Sequence, residues 1–266
     1  MSTAPIGIFD SGIGGLTVTR ALFERLPAEA TIYFGDTARV PYGPKSPETV
    51  RRYSAEILDW LLGQGVKAVV VACNTSSAHA LAGLQKASTV PVIGVIEPGA
   101  RAAVQVTRGG LIGIIGTAGT IRSEAYPRAI RALLPAARIE QMPCPLFVPL
   151  VEEGWFDHAA TKLIGHQYLD PLTAHGLDTL VLGCTHYPLL KPLLHDLLGP
   201  EVHLIDSAEA TARAVAAMLD SEGLNAPAGK TGRHRFVVSD DEARFLEVGA
   251  RFVGERLRDV EVVTMG

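Results

Sequence analysis

Short apolar runs alternate with stretches whose apolar positions recur every three or four residues, and the alternation continues along most of the chain. The runs predict strands at PIGIFD (5–10), ATIYFGD (30–36), AVVVACN (68–74), VPVIGVI (90–96), LIGIIGT (111–117), ARIEQMP (137–143), TLVLGCT (179–185), EVHLID (201–206) and HRFVVSD (234–240). Between them LTVTRALFERL from Leu16 and SPETVRRYSAEILDWLLGQG from Ser46 carry helical spacing. Ser46, with Pro47 and Glu48 behind it, forms a helix start: a capping hydroxyl, then a proline where no backbone donor is needed. Strands that are apolar throughout and separated by helices imply parallel sheets covered on both faces. The expected class is α/β.

An internal echo divides the chain further. IGIFDSGIGG (6–15) parallels IGIIGTAGT (112–120), and AVVVACN parallels TLVLGCT, placing Cys73 and Cys184 at matching points. Two similar parallel-sheet α/β domains facing each other across a central cleft are therefore expected. The first would comprise 1–97 and 208–266, with HRFVVSD returning to it after the loop SEGLNAPAGKTGR, and the second 98–207. Open α/β sheets place ligands beyond the carboxyl ends of their strands. Both cysteines stand at such ends, so facing units bring them to opposite sides of the cleft.

Composition narrows the function classes. The chain has 266 residues, 47% of them hydrophobic, enough for a full core. Its net charge of -4 comes from 24 basic and 28 acidic residues with no basic stripe, which argues against nucleic acid as a partner. No run approaches the roughly 18 apolar residues that cross a bilayer, and MSTAPIGIFDSG lacks a signal-peptide pattern, so a cytoplasmic protein without a membrane partner is expected. Three isolated cysteines fit a reducing compartment.

Two thiols across a small cleft suit one chemistry in particular. Removing a proton from one face of a tetrahedral carbon and returning one to the other face inverts it. A thiol, ordinarily titrating near pH 8.5, can act as thiolate base or as thiol acid. Asp10 ends the first strand, His186 follows Cys184 by two positions, and Glu152 in PLVEEGW is a further carboxylate, with Glu153 its equal by composition. Each can hold or take a thiol's proton. A single buried cysteine is usually a small apolar residue, but the duplicated context outweighs that reading here. Cys144 in MPCPLF has no such counterpart and is assigned to packing, and His79 to a surface or satisfied helical position. Zinc would require more closely spaced ligands than Cys73, Cys184 and His186. A cysteine hydrolase would leave the second thiol unexplained.

IFDSGIGGLTV, GDTARVPYGPKS, ACNTSSA, FVPLVEEG and LGCTHYPLL together resemble the glutamate racemases, from about Ile6 to Ser207. The resemblance implies two α/β domains with the active site between them and catalysis without cofactor or metal. It implies Cys73 and Cys184 as the acid/base pair, Cys73 serving D-glutamate and Cys184 L-glutamate, assisted by Asp10, Glu152 and His186. Asp10, Ser11, Tyr42, Gly43, Asn74, Thr75, Thr117, Thr120, Thr185 and His186 would hold the substrate. The implied role is supply of D-glutamate for peptidoglycan. The implied partners are the small-molecule substrate glutamate and, compatibly, a second copy in a homodimer. An aspartate racemase is the alternative, although His186 follows CT where glutamate would be expected in that branch.

Overall fold

The computed structural model describes residues 1–227 and 229–265; Ala228 and Gly266, which the sequence reading assigns to the first unit, lie outside the described residues. Its strands are β1 (Ile6–Asp10), β2 (Thr31–Gly35), β3 (Ala68–Val71), β4 (Val92–Gly94), β5 (Leu111–Gly116), β6 (Arg138–Pro143), β7 (Leu177–Gly183), β8 (His203–Asp206), β9 (His234–Val238) and β10 (Val260–Val262). Helices α1 (Leu16–Arg25), α2 (Pro47–Gly63), α3 (Asn74–His79), α4 (Leu81–Ala87) and α5 (Ile96–Val106) accompany the early strands. They are followed by α6 (Ala118–Arg122), α7 (Ala125–Leu133), α8 (Phe147–Glu152), α9 (Ala159–Thr173), α10 (Lys191–Leu198), α11 (Ser207–Ser221) and α12 (Glu242–Val253).

Two parallel sheets result, ordered β10-β9-β2-β1-β3-β4 and β6-β5-β7-β8. Every strand pair is parallel, as the unbroken apolar runs require. β9 returns to the first sheet beside β2, its Val237 opposite Phe34. Ile8, Val70, Ile114 and Val181 are fully buried, and each such side chain contributes about 1.5–3 kcal/mol relative to exposure. One apolar core runs from Ile8 and Tyr33 through to Ile114 and Leu182, so the two sheets share it. α11 packs against both α1 and α5, tying the units together on the side of that core.

Several boundaries differ from the sequence pattern, each for a local reason. VPVIGVI yields only β4, because Ile96 already opens α5. β10 was not expected from sequence: its three residues form an edge pairing with β9, too short for a periodic signal. β3 stops at Val71 and β7 at Gly183, which releases both cysteines from the sheets. Ser46 caps α2 as expected, its hydroxyl accepting from Thr49 N at 3.3 Å with Pro47 behind it. Among the described residues no helix is long and apolar enough to cross a membrane.

Candidate active site

Cys73 stands between β3 and α3 in extended backbone and caps that helix, its Sγ accepting from Ser76 N at 3.5 Å. Its thiol also faces Ser11 Oγ at 3.7 Å, at the end of the neighbouring strand β1. Asp10, the last residue of β1, is fully buried; Gly12 N donates to its Oδ2 at 2.9 Å and Thr185 Oγ1 to its Oδ1 at 3.5 Å. The second thiol leaves β7 in the same manner. Cys184 Sγ faces His186 Nδ1 at 3.9 Å, and His186 Nε2 lies 3.1 Å from Glu152 Oε1. The DSGIGG turn makes this close approach possible, because Gly14 lies directly against Thr185 and His186, where any Cβ would collide.

The electrostatics follow from burial and these partners. Loss of water pushes the Cys73 thiol up to about 11, with the charge of Asp10 adding to the effect. Burial likewise raises Asp10, partly offset by His186. For His186 burial favours the neutral ring, but the combined pull of Cys184 and Glu152 outweighs it and pushes the imidazole up to about 10. Burial would raise Glu152, yet hydrogen bonding to His186 and the neighbouring Arg244 hold it below the ordinary carboxylate range. At neutral pH the Cys73 side therefore holds a thiol, and the Cys184 side an imidazolium braced by a carboxylate.

A cavity of about 40 Å³ is lined from both units by Ser11, Tyr42, Gly43, Cys73, Asn74, Thr75, Thr117, Cys184, Thr185 and His186. Asn74 accepts from Tyr126 Oη at 2.8 Å through Oδ1, which leaves its buried Nδ2 without a protein partner. Thr117 caps α6, accepting from Thr120 N at 3.2 Å, and its Oγ1 lies 2.9 Å from Thr75 Oγ1 across the cleft. Thr120 sits behind this pair, its hydroxyl 3.1 Å from Thr117 and 3.4 Å from Thr75. Gly43 packs against Thr117, where a Cβ would come to 2.9 Å. Tyr42 lines the wall, but its hydroxyl donates to Asp36. Three of the sequence candidates stand behind the lining: Asp10 against Thr185, Glu152 against His186, and Thr120 against the other two threonines.

Sequence reasoning passed over Asp36, which is fully buried and accepts from Tyr42, from Arg39 Nε at 2.7 Å and from Ser239 Oγ at 2.9 Å. Its signal was present in GDTARVPYG, where an acid directly follows a strand. His79, expected at a surface or satisfied helical position, is satisfied at the end of α3: its Nε2 reaches Gly119 O in the opposite unit at 3.1 Å, a contact across the cleft. Cys144 is buried with its Sγ 3.6 Å from Met142 O, consistent with packing. Among the described residues no group of three or more His, Cys, Asp or Glu is arranged to hold a metal ion. A larger cavity of about 450 Å³ lies between α4, β4, α5 and α11, but no thiol lines it, and the chemistry gathers at the small one.

The model of the Asp/Glu/Hydantoin racemase family matches residues 6–215. A glutamate racemase from Geobacter metallireducens is 56% identical over 98% of this chain and 96% of its own length. A solved glutamate racemase isoform from Bacillus anthracis superposes with a TM-score of 0.95 at 41% identity, covering 100% of this chain and 99% of that one. The glutamate racemase of Francisella tularensis, solved in complex with D-glutamate, gives a TM-score of 0.93 at 37% identity over 100% and 99% of the two chains.

Proposed function

The chain belongs to the Asp/Glu/Hydantoin racemase family and within it to the glutamate racemases, and from that premise we propose that it interconverts L- and D-glutamate by proton transfer at Cα, with Cys73 acting on one face and Cys184 on the other. It is a racemase, an isomerase by class. One observation carries the mechanism: the two thiols line a single cavity from the ends of strands in two different sheets. In one direction the Cys184 thiolate takes the Cα proton of L-glutamate while the Cys73 thiol delivers its own to the opposite face. In the other direction the roles exchange. Both steps leave one thiol and one thiolate, so the enzyme returns to turnover after protons redistribute.

The surrounding groups suit this exchange. An imidazolium at 3.9 Å from Cys184 Sγ can pass a proton to the sulfur and take it back, and Glu152 keeps the ring oriented. Neutral donors answer the substrate's carboxylates: the hydroxyl of Ser11, the one hydroxyl of the Thr75–Thr117 pair that does not donate to the other, and the unpartnered Asn74 Nδ2. Among the described residues no Lys or Arg lines the cavity, so the cation beside a sulfur there is the His186 imidazolium, which can give up its proton where a guanidinium cannot. Asp10, behind Thr185, supplies negative charge toward the substrate ammonium.

D-Glutamate made in this way would serve peptidoglycan assembly in the cytoplasm. We place the unit boundaries at 1–97 with 208–266, and at 98–207. The test is incubation of the purified protein with L-glutamate and no added cofactor, following optical rotation and D-glutamate formation. Loss of rotation with accumulation of D-glutamate is expected. Racemisation of aspartate in its place, or none at all, would overturn the assignment.

A further inference from the structure

Glu152 is held at both of its oxygens, and by different units. Oε1 faces His186 Nε2 at 3.1 Å, while Oε2 lies 3.4 Å from Arg244 Nη2. Glu152 ends α8, which packs beside the 187–190 turn of the second unit, whereas Arg244 belongs to α12, which packs on α1 of the first. The backbone of Arg244 is fixed, because Asp241 caps α12 by accepting from Arg244 N at 3.1 Å. Arg251, about two turns further along the same helix, donates to the Glu152 carbonyl oxygen. α12 thus grips the end of α8 by backbone and side chain together. Glu152 and Arg244 line a cavity of about 70 Å³ that adjoins the thiol cavity at Val40.

The terminal torsion of a glutamate is broad and roughly twofold, so a hydrogen bond at one oxygen leaves the carboxylate room to turn. Here a second contact, from Arg244, narrows that freedom. We propose that Arg244 is a positioning residue of the racemisation machinery: it engages Oε2 of Glu152 so that Oε1 stays on His186, the ring that serves Cys184. This rests on the racemase reading above. The charged and titratable groups around Glu152 are His186 from the β7 end, Arg244 and Arg251 from α12, Asp241 at the start of that helix, and Glu153, whose Oε1 lies 3.6 Å from Arg244. Arg244 is the cation on the side-chain oxygen away from the ring, and its removal makes the carboxylate easier to protonate.

The experiment uses the full chain with Arg244→Gln and Arg244→Lys. Carbon-13 titration of the Glu152 carboxyl, assigned by the signal missing in Glu152→Gln, is read beside the pH profile of L-glutamate turnover. Arg244→Gln should raise the carboxyl midpoint by roughly half a pH unit, move the acid limb of the profile upward with it, and lower kcat/KM about two- to fivefold, the range a half-exposed pair supports. Arg244→Lys, which keeps the charge, should recover most of both shifts. A folded Arg244→Gln protein whose Glu152 midpoint and acid limb match the parent would overturn the proposal. A parent enzyme that does not racemise glutamate would overturn the racemase reading, and with it any catalytic meaning for Arg244, while the carboxyl titration still decides whether the arginine holds Glu152.

Discussion

His186 stands between Glu152 and Cys184, one ring nitrogen 3.1 Å from the carboxylate and the other 3.9 Å from the thiol sulfur. Despite burial, these partners push the ring up to about 10 from an ordinary 6.5. The folded chain therefore holds a proton that the unfolded chain releases, and stability falls as pH rises between the two values. The contribution is complete below pH 6.5 and is lost on the way up through about 10. Cys73, raised to about 11, adds a loss of the same sign as pH rises above the ordinary thiol range. Urea midpoints of the parent should decline across this window, and His186→Asn should show a shallower decline from pH 6.5 to 9. Parallel slopes would mean that the ring is neutral in the folded state.

Gly14 supplies a test that adds only one methyl group. A Cβ built there would lie 2.5 Å from His186 Nδ1 and nearer still to Thr185 Oγ1. Glu152 holds the ring at 3.1 Å, and the Thr185 hydroxyl is turned toward Asp10, so yielding would disturb both. Gly14→Ala should displace His186 from Cys184 and lower kcat/KM by about a hundredfold, as misplacement by an ångström does. Gly63, at the end of α2, has open space around it, and Gly63→Ala should leave the rate unchanged. Equal rates for the two variants would show that the DSGIGG turn has slack.

The fold class, the two sheets and the strand-end positions of both thiols were legible from the apolar runs and their duplication. What the runs could not carry was contact across the cleft. Arg244, Asp36 and His79 act on residues far away in sequence or through buried hydrogen bonds, and none carries a periodic or repeated signal. Glu152 and Glu153 were indistinguishable by composition. The structure separates them by direction: Glu152 faces the ring, whereas Glu153 is exposed.

Tyr42 illustrates how a lining residue can act without offering its polar atom. Its hydroxyl is committed to Asp36, and burial together with that carboxylate drives its titration far upward. Tyr42→Phe should therefore cost about 1.5–3 kcal/mol of stability, the worth of a hydrogen bond to a charged partner. Turnover at saturating glutamate should stay close to the parent. A large fall in kcat at unchanged stability would instead make the hydroxyl a substrate ligand.

Proton transfer by two thiols, as proposed, makes the most specific demand. In D2O the parent enzyme should place deuterium at Cα chiefly in the product enantiomer, because the thiol that reprotonates has exchanged with solvent while the abstracting one carries the substrate's own proton. Changing either cysteine to serine should cut racemisation by about 10²- to 10⁴-fold, the usual worth of an acid/base group, since a hydroxyl is a far weaker acid. Because the two enantiomers are equal in free energy, kcat/KM must fall equally in both directions, so racemisation rates alone cannot tell the faces apart. A substrate with chloride at Cβ can. There the remaining thiolate takes the Cα proton, the electron pair forms the Cα–Cβ double bond, and chloride departs, with no proton needed from the other face. Cys73→Ser retains Cys184 and should eliminate from the L-form; Cys184→Ser retains Cys73 and should eliminate from the D-form. Release of chloride by both variants from the same enantiomer would mean that the two sulfurs approach Cα from one side.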